Sequence, residues 1–484
     1  MKKRYLILIP LLLSGFTHLW NPVGFPDIFF DEGVYMRRAM NVLQEGNPQE
    51  AYFFDHPYFG QILLAGYLGT VGYPDSLNVS SEADSLKDLY MIPRIFMGML
   101  AVLDTFLIYK IAERKYSRNV ALIASVLFAV MPFSWLFRRI LLDSLLLPFL
   151  LSSILTALYA VNLSNKRSLI FVSGILLGLA IFTKIPAFVF IPLIAGLVFY
   201  NRKKFSDLGL WFLPVILIPM LWPAHAMYLG YFDVWVNDVF WQAGREGGGL
   251  SLISEFFFEI DPLLFVLGIG GLVYAVLKRN LFILSWSIPM ILFLGLIGFT
   301  QYFHWIPMIP VFCIAAAILV VDLVNKFKEK ITTKTILIIV VGFSIFGLAS
   351  LAPLITSDVS SSQFKAMSFV LDNFESDDQI TILSSPIYSW VFDDVFKKDY
   401  VMMDYAMILF EDPPTKNLLL IKDPHFLVDI SRGEQLEQVY SKSEIIETFD
   451  SRVSEFDTTV YPYGSMRVNF EGYNIEIRTF YGYN

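Results

Sequence analysis

Long apolar stretches set the rhythm of this chain. Runs of roughly the length that crosses a ~30 Å hydrocarbon core as a helix recur along the first 355 positions, at about 4–20, 91–112, 119–137, 143–162, 168–183, 186–200, 209–229, 262–277, 281–299, 304–322 and 335–355. The pattern predicts about 11 transmembrane helices. Two connections are too long for simple turns, 21–90 and 230–261, and long ordered loops usually carry a task. In the first, GVYMRRAMNVLQ sets Val34, Met36, Met40 and Leu43 against Arg37 and Arg38, the pattern of a helix lying in the interface. The apolar, glycine-interrupted stretch Pro57 to Val71 reads as a second interfacial or re-entrant helix. Counting it as a span inverts every later loop. Beyond 355 the periodicity changes: 361–374 and 434–449 read as helices, and QITIL, NLLLI and YNIEIRTF as strands. The expectation is an all-α polytopic membrane protein, residues 1–355, with a small C-terminal α/β domain, residues 356–484.

Basic residues test the count, since Lys and Arg in short loops collect on the cytoplasmic side. Lys2, Lys3 and Arg4 precede the first run. Arg114, Lys115 and Arg118 follow the second, and Lys166 and Arg167 the fourth. Arg202, Lys203 and Lys204 follow the sixth, Lys278 and Arg279 the eighth, and Lys326, Lys328, Lys330 and Lys334 the tenth. All fall on one side, which puts the N-terminus in the cytoplasm and the C-terminal domain outside a multi-pass cell membrane protein. The first run also fits a signal peptide, but no small-residue cleavage site follows it, and His18, Trp20 and Asn21-Pro22 suit the interfacial end of a retained helix.

Composition agrees. The 484 residues are 56% hydrophobic and 17% charged, against about a quarter charged in an ordinary globular chain. Residues 356–484 carry 22 Asp+Glu and 10 Lys+Arg, a net of −12, which leaves +4 for the first 355 residues of a chain totalling −8. A nucleic-acid footprint is absent from the tail. The single cysteine, Cys313, excludes an intrachain disulfide or a Cys-rich zinc site.

Ionisable groups are costly in hydrocarbon and tend to mark function. Here Asp31, Glu32, Asp55, His56, Arg94, Arg138, Arg139, Asp143, Lys184, His225, Arg245, Glu246 and His304 all fall at outer helix ends or in outer loops; Asp104 lies deeper and Asp322 at an inner end. A transporter places binding groups near the midplane, often on repeated halves, and neither feature is visible. Asp31-Glu32 reads either as a cap and first-turn acid or as a general base whose proton affinity rises beside aromatic groups. Asp55-His56-Pro57 is too small for a metal site by itself and also suits a helix cap. Arg138, Arg139 and Lys184 either snorkel to headgroups or bind a phosphate. The stretch Ala243 to Gly249 reads as linker or as lid.

Taken in order, FFDEGVYMRRAMNVL, FDHPYFGQILLAG, IPRIFMGMLAVLDTFLIYKIA, RRILLDSLLLPF, FTKIPAFVFIPL and QYFHWIPMIPVFCIAAA resemble the outer-face motifs of the GT-C class of polyprenyl-phosphate-sugar-dependent glycosyltransferases, most of all its protein O-mannosyltransferase and aminoarabinose-lipid A transferase branch. The mannosyltransferases usually read His-Pro-Pro and follow the glycine with lysine; this chain has Tyr58 and Gln61 there. No WWD-type motif of oligosaccharyltransferases is present. The resemblance covers residues 1–355 and implies a GT-C-like fold and inverting transfer of a sugar from a polyprenyl or dolichyl phosphate to an acceptor hydroxyl or amine, on protein or glycolipid, at the outer face. It implies catalytic Asp31 with Glu32, and Arg94, Arg138 and Lys184 as a phosphate clamp with Arg245 as a further candidate. Asp55 and His56 fall on the substrate side, and Glu32 and Asp55 leave room for an optional divalent cation; no cofactor is otherwise expected. Arg139, a helical step from Arg138, is expected only to snorkel. The acidic tail is expected above the site, selecting acceptors or binding glycans. A lipid-linked-sugar flippase or other transporter and a scaffold presenting the tail are the competing readings.

Overall fold

The structure is a computed structural model that describes residues 3–49, 53–160, 167–327, 332–374, 379–426, 430, 433–451, 461–463, 466–468 and 473–483. Lys2, Lys166, Lys328 and Lys330 of the charge pattern lie outside the described residues. Among the described residues five helices, Ala83–Lys115, Leu142–Ala160, Phe205–Leu229, Tyr302–Lys326 and Thr333–Ile355, are long and apolar enough to cross a membrane by length and composition. Arg118–Val130 and Pro132–Arg138 make a further span only if counted together, bent by 68°; Met131 between them is extended, and Pro132 lacks the N–H that would continue the helix. Tyr5–Leu19, Arg167–Thr183, Ile185–Tyr200, Pro262–Leu277 and Leu281–Leu296 are shorter apolar helices. A count of eleven therefore requires the bent pair and all five shorter helices to cross.

The long connections are structured. The first holds the helices Phe30–Glu45 and Phe59–Thr70, and the second holds Phe232–Gly244 and Leu250–Ile260. The glycine-rich stretch between the latter pair is not loose. Gly247 donates to the Gly298 carbonyl at 3.0 Å and accepts from Thr300 at 2.9 Å, and the Gly249 N–H reaches the Thr300 hydroxyl at 2.6 Å. Gly248 sits at φ +77°, and a Cβ there would stand 2.3 Å from the Thr300 carbonyl oxygen, so this contact is reserved for glycine.

In the tail, β1 (Ile380–Leu383), β2 (Asn417–Lys422), β3 (Glu444–Ser451) and β6 (Tyr473–Tyr481) form one sheet in the order β1-β2-β6-β3, with β1 and β2 parallel and β6 antiparallel to both of its neighbours. A separate hairpin pairs β4 (Tyr461–Tyr463) with β5 (Met466–Val468). The helix expected over 434–449 ends at Lys442. Its second half is β3, because Ile445, Ile446, Thr448 and Phe449 favour extended backbone and β6 offers a free edge.

The tail is welded to the first long connection. Ile28 and Gln363 exchange two hydrogen bonds of 2.8 and 2.9 Å, the Val359 N–H reaches the Gly24 carbonyl at 2.8 Å, and Tyr90 bonds both the Ile387 carbonyl and the Trp390 indole. One continuous buried apolar cluster runs from Phe25 and Ile28 through Phe364 to Tyr388 and Trp390.

Candidate active site

The first turn of the helix Phe30–Glu45 organises the site, and its consecutive residues Asp31, Glu32 and Gly33 do three different things. Phe29 is extended and its N–H is accepted by Glu32 at 3.0 Å, closing the helix start. Gly33 packs on the backbone of Pro386, which a Cβ would meet at 2.3 Å. Asp31, between these, is half-buried, and among the described residues no hydrogen bond or ion pair occupies its carboxylate.

Glu32 is buried and fully engaged. Besides the Phe29 N–H it accepts Arg94 Nε at 2.9 Å, Arg94 Nη2 at 2.7 Å and the Ile140 N–H at 3.0 Å. Arg94 spends its remaining donors on the carbonyls of Pro22, Pro26 and Asp27. Glu32 and Arg94 are therefore not placed to meet a substrate. Each neutralises the other and together they pin the loop 22–32 against the helix Ala83–Lys115. Arg138 is likewise removed from the expected clamp: its guanidinium caps the end of the helix Leu8–Leu19 through the carbonyls of Thr17, Trp20, Asn21 and Phe25 at 2.5–2.9 Å, a position where a cation suits the helix dipole. Arg139 does not snorkel. It is fully buried, bonds Asp27 at 2.6 Å, approaches Glu32 at 3.7 Å and lies over the rings of Phe29 and Trp135. Sequence reading missed Asp27 and misjudged Arg139 because their partners are more than 100 residues apart.

The remaining expected residues do come together. Pro186 stops the helix Arg167–Thr183 from running on, leaving Lys184 extended at its end. Its ammonium is buried, pairs with Asp143 at 2.6 Å and sits over the Phe303 ring. Arg245, carried by the pinned glycine stretch, lies 3.7 Å over the Phe299 ring and 5.0 Å over Trp241. Both cations act on Asp31. Burial pushes the Asp31 carboxyl above the ordinary aspartate range, while Lys184, Arg245 and His425 pull it back. His56 is pushed down to about 4, first by burial, with Lys184, Arg38 and Arg245 adding to it against Asp55. Burial also works against the Asp55 carboxylate, but Arg38 at 2.8 Å and His56 outweigh it and hold the group below the ordinary range. His304 lies within electrostatic reach of Lys184, His56 and Arg245, and its Nδ1 accepts the Gln301 N–H at 3.0 Å. This leaves the proton on Nε2.

The constellation is thus Asp31, Lys184 with Asp143, Arg245, His56 with the Asp55–Arg38 pair, and His304. Among the described residues no group of three or more His, Cys, Asp or Glu is arranged to hold a metal ion. Glu32 and Asp55, the expected ligands of a divalent cation, are both taken by arginines. Asp143 and His304 were visible in the sequence as outer polar residues, but nothing in it marked them as neighbours of Lys184.

The dolichyl-phosphate-mannose-protein mannosyltransferase family model matches residues 7–235, a stretch that contains Asp31, Asp143 and Lys184 and ends before Arg245. No curated protein matches the sequence. Among solved structures, the ArnT of Cupriavidus metallidurans bound to undecaprenyl phosphate is 12% identical with a TM-score of 0.60, the match covering 98% of this chain and 97% of that one. The archaeal oligosaccharyltransferase AglB of Archaeoglobus fulgidus, in complex with an inhibitory peptide and a dolichol-phosphate, is 13% identical with a TM-score of 0.57, over 97% of this chain and 76% of that one. At such identities the likeness to these membrane glycosyltransferases is one of fold, and the mannosyltransferase family model, which matches less than half of the chain, is similar over the stretch that carries Asp31 and Lys184.

Proposed function

We propose that the protein moves a sugar from a polyprenyl or dolichyl phosphate to an acceptor hydroxyl or amine on protein or glycolipid, with inversion, at the outer face of the membrane. The carrying observation is a carboxylate, Asp31, that takes no hydrogen bond or ion pair among the described residues and lies within electrostatic reach of two cations, Lys184 and Arg245. In the reaction the acceptor heteroatom attacks the anomeric carbon while its proton passes to Asp31. The bond from that carbon to the phosphate oxygen breaks, and the electron pair leaves with the lipid phosphate. A phosphate leaves well without a general acid, so one base and a cationic clamp suffice. Lys184 supplies a point charge and Arg245 a planar fork to the phosphate oxygens; both contacts strengthen as the leaving group gains charge, which is where binding accelerates a reaction. Asp143 fixes the lysine head, and His56, held neutral by burial, offers hydrogen bonds without adding charge. The outer-face location is supported by the alternation of basic loops.

Incubating purified protein with labelled polyprenyl-phosphate sugars tests this. Release of the sugar to water or to an acceptor, lost in Asp31→Asn, is the expected result. Movement of the intact lipid between leaflets without bond cleavage identifies a flippase instead.

A further inference from the structure

At the other end of the long apolar helices from the candidate site lies a cavity of about 500 Å³. In the helix Ala83–Lys115, Arg94 braces the site end and the C-cap Tyr116 lines the cavity. The 22 residues between them, at ~1.5 Å each, span about 33 Å, the thickness of a bilayer core. Three helices, Ala83–Lys115, Pro262–Leu277 and Ile309–Phe327, end at this cavity, where C-terminal carbonyls favour a cation. Its walls carry two opposite charges that the fold keeps apart. Tyr274 stands between them: its hydroxyl donates to Asp322 Oδ2 at 3.0 Å, and the Lys278 ammonium lies 5.5 Å from its ring centroid. Among the described residues neither Asp322 nor Lys278 has a counter-ion within an ion-pair distance. On the lysine side, Asn280 Oδ1 accepts the Tyr116 hydroxyl at 3.0 Å and the Ile283 N–H that opens the helix Leu281–Leu296. Its amide Nδ2 is left as a donor. Next to these residues in the chain, Leu277, Leu281 and Leu323 are exposed, an apolar rim suited to lipid.

We infer that this cavity binds a phosphoethanolamine group, the head of a membrane lipid, with its ammonium on Asp322 and its phosphate on Lys278 and Asn280. The inference goes beyond the glycosyl-transfer reading and does not rest on it. An anion alone fills the lysine side and leaves the half-buried Asp322 carboxylate without a counter-charge; a cation alone does the reverse. One group carrying both charges satisfies both walls. A primary ammonium brings three N–H donors and meets the carboxylate at hydrogen-bond distance, whereas a trimethylated head has no N–H to give. Basic pockets between helix ends hold anionic lipid heads; the acid added to this one selects for an amine. The acyl chains of such a lipid pass along Leu277, Leu281 and Leu323.

The test titrates the purified full chain in detergent micelles with phosphatidylethanolamine, phosphatidylcholine and phosphatidylglycerol of matched acyl chains, and counts bound lipid by native mass spectrometry. The expected result is one discrete phosphatidylethanolamine adduct, at least tenfold tighter than either other lipid. Asp322→Asn keeps an acceptor for the Tyr274 hydroxyl and should abolish the preference for ethanolamine over choline. Lys278→Gln, at an exposed position where folding is not at stake, should weaken both zwitterionic lipids by a similar factor. Soluble phosphoethanolamine in excess distinguishes the source: displacement of the lipid shows that the head alone is recognised and that the site takes the free compound too, and retention assigns it to the lipid. Phosphatidylglycerol binding as tightly as phosphatidylethanolamine, no discrete adduct, a preference that survives Asp322→Asn, or an unchanged phosphatidylethanolamine affinity in Lys278→Gln overturns the inference.

Discussion

At the scale of single residues, Asp31 and Glu32 are neighbours in sequence with opposite fates. A helix turns about 100° per residue, which sends one carboxylate into the site and the other into a buried ion pair. Asp31→Asn is expected to lower turnover by about 100-fold or more, since a positioned base contributes roughly 10²–10⁴, and to melt no lower than the wild type. The sign follows from the raised proton affinity of Asp31: the fold disfavours its ionised form, so the stability it contributes falls as pH rises above about 3.9, the unfolded value, and an uncharged isostere relieves that cost. Initial rates against pH should show kcat/KM rising with pH through a limb above the ordinary aspartate range, flat beyond it; a limb at or below about 4 places the base elsewhere. Glu32→Gln acts differently. It leaves Arg94 and Arg139 short of a buried counter-charge, a loss of about 3–5 kcal/mol, so thermal denaturation should drop while any protein that remains folded keeps its acid limb.

At the scale of elements, the glycine-rich stretch shows how backbone chemistry positions a side chain. Gly247 to Gly249 pair with Gly298 to Thr300, and this pairing holds Arg245 over Phe299. Gly248→Val keeps the charge of Arg245 but puts a side chain where the Thr300 carbonyl stands, at a positive φ that a β-branched residue avoids. Donor turnover in Gly248→Val should fall at least tenfold, approaching that of Arg245→Ala; wild-type turnover in this variant means the pinned stretch is not what positions the arginine. Arg138 teaches the converse. Two adjacent arginines at an outer helix end suggested phosphate or headgroup contacts, yet both serve packing, one capping a helix with four carbonyls and one filling a buried ion pair. Arg138→Gln is accordingly expected to lower the melting temperature without shifting the donor KM, readable by calorimetry beside a donor titration.

At the scale of the whole molecule, the tail and the first long connection fold as one surface. Removing residues 356–484 exposes Ile28 and Tyr90 and strands the donors and acceptors of the 22–32 loop, so a truncated chain should not accumulate as folded protein rather than simply lose acceptor choice. The alternation of basic loops also predicts an extracytoplasmic tail. A cysteine introduced at the exposed Lys397, read against the buried Cys313 that stays silent, should react with an impermeant thiol reagent from outside intact cells; labelling only after permeabilisation overturns the topology and the outer-face site with it.

Sequence alone determined the class of molecule. Apolar run length, basic-loop alternation and six ordered motifs are local features, each read within a window no longer than a helix, and they carried the apolar helices and the two helices of the first long connection. Helix 361–374 and three strands of the tail were legible for the same reason, whereas β3 was not, because a short β-branched run following a helix takes its state from whatever edge it meets. The use made of each polar group was decided only in three dimensions. Glu32 and Arg94 stand 62 residues apart, and Arg139 and Asp27 112. A charge close to one partner is a structural brace and beside another is a reactive group, and no spacing in the sequence states which partner the fold will bring.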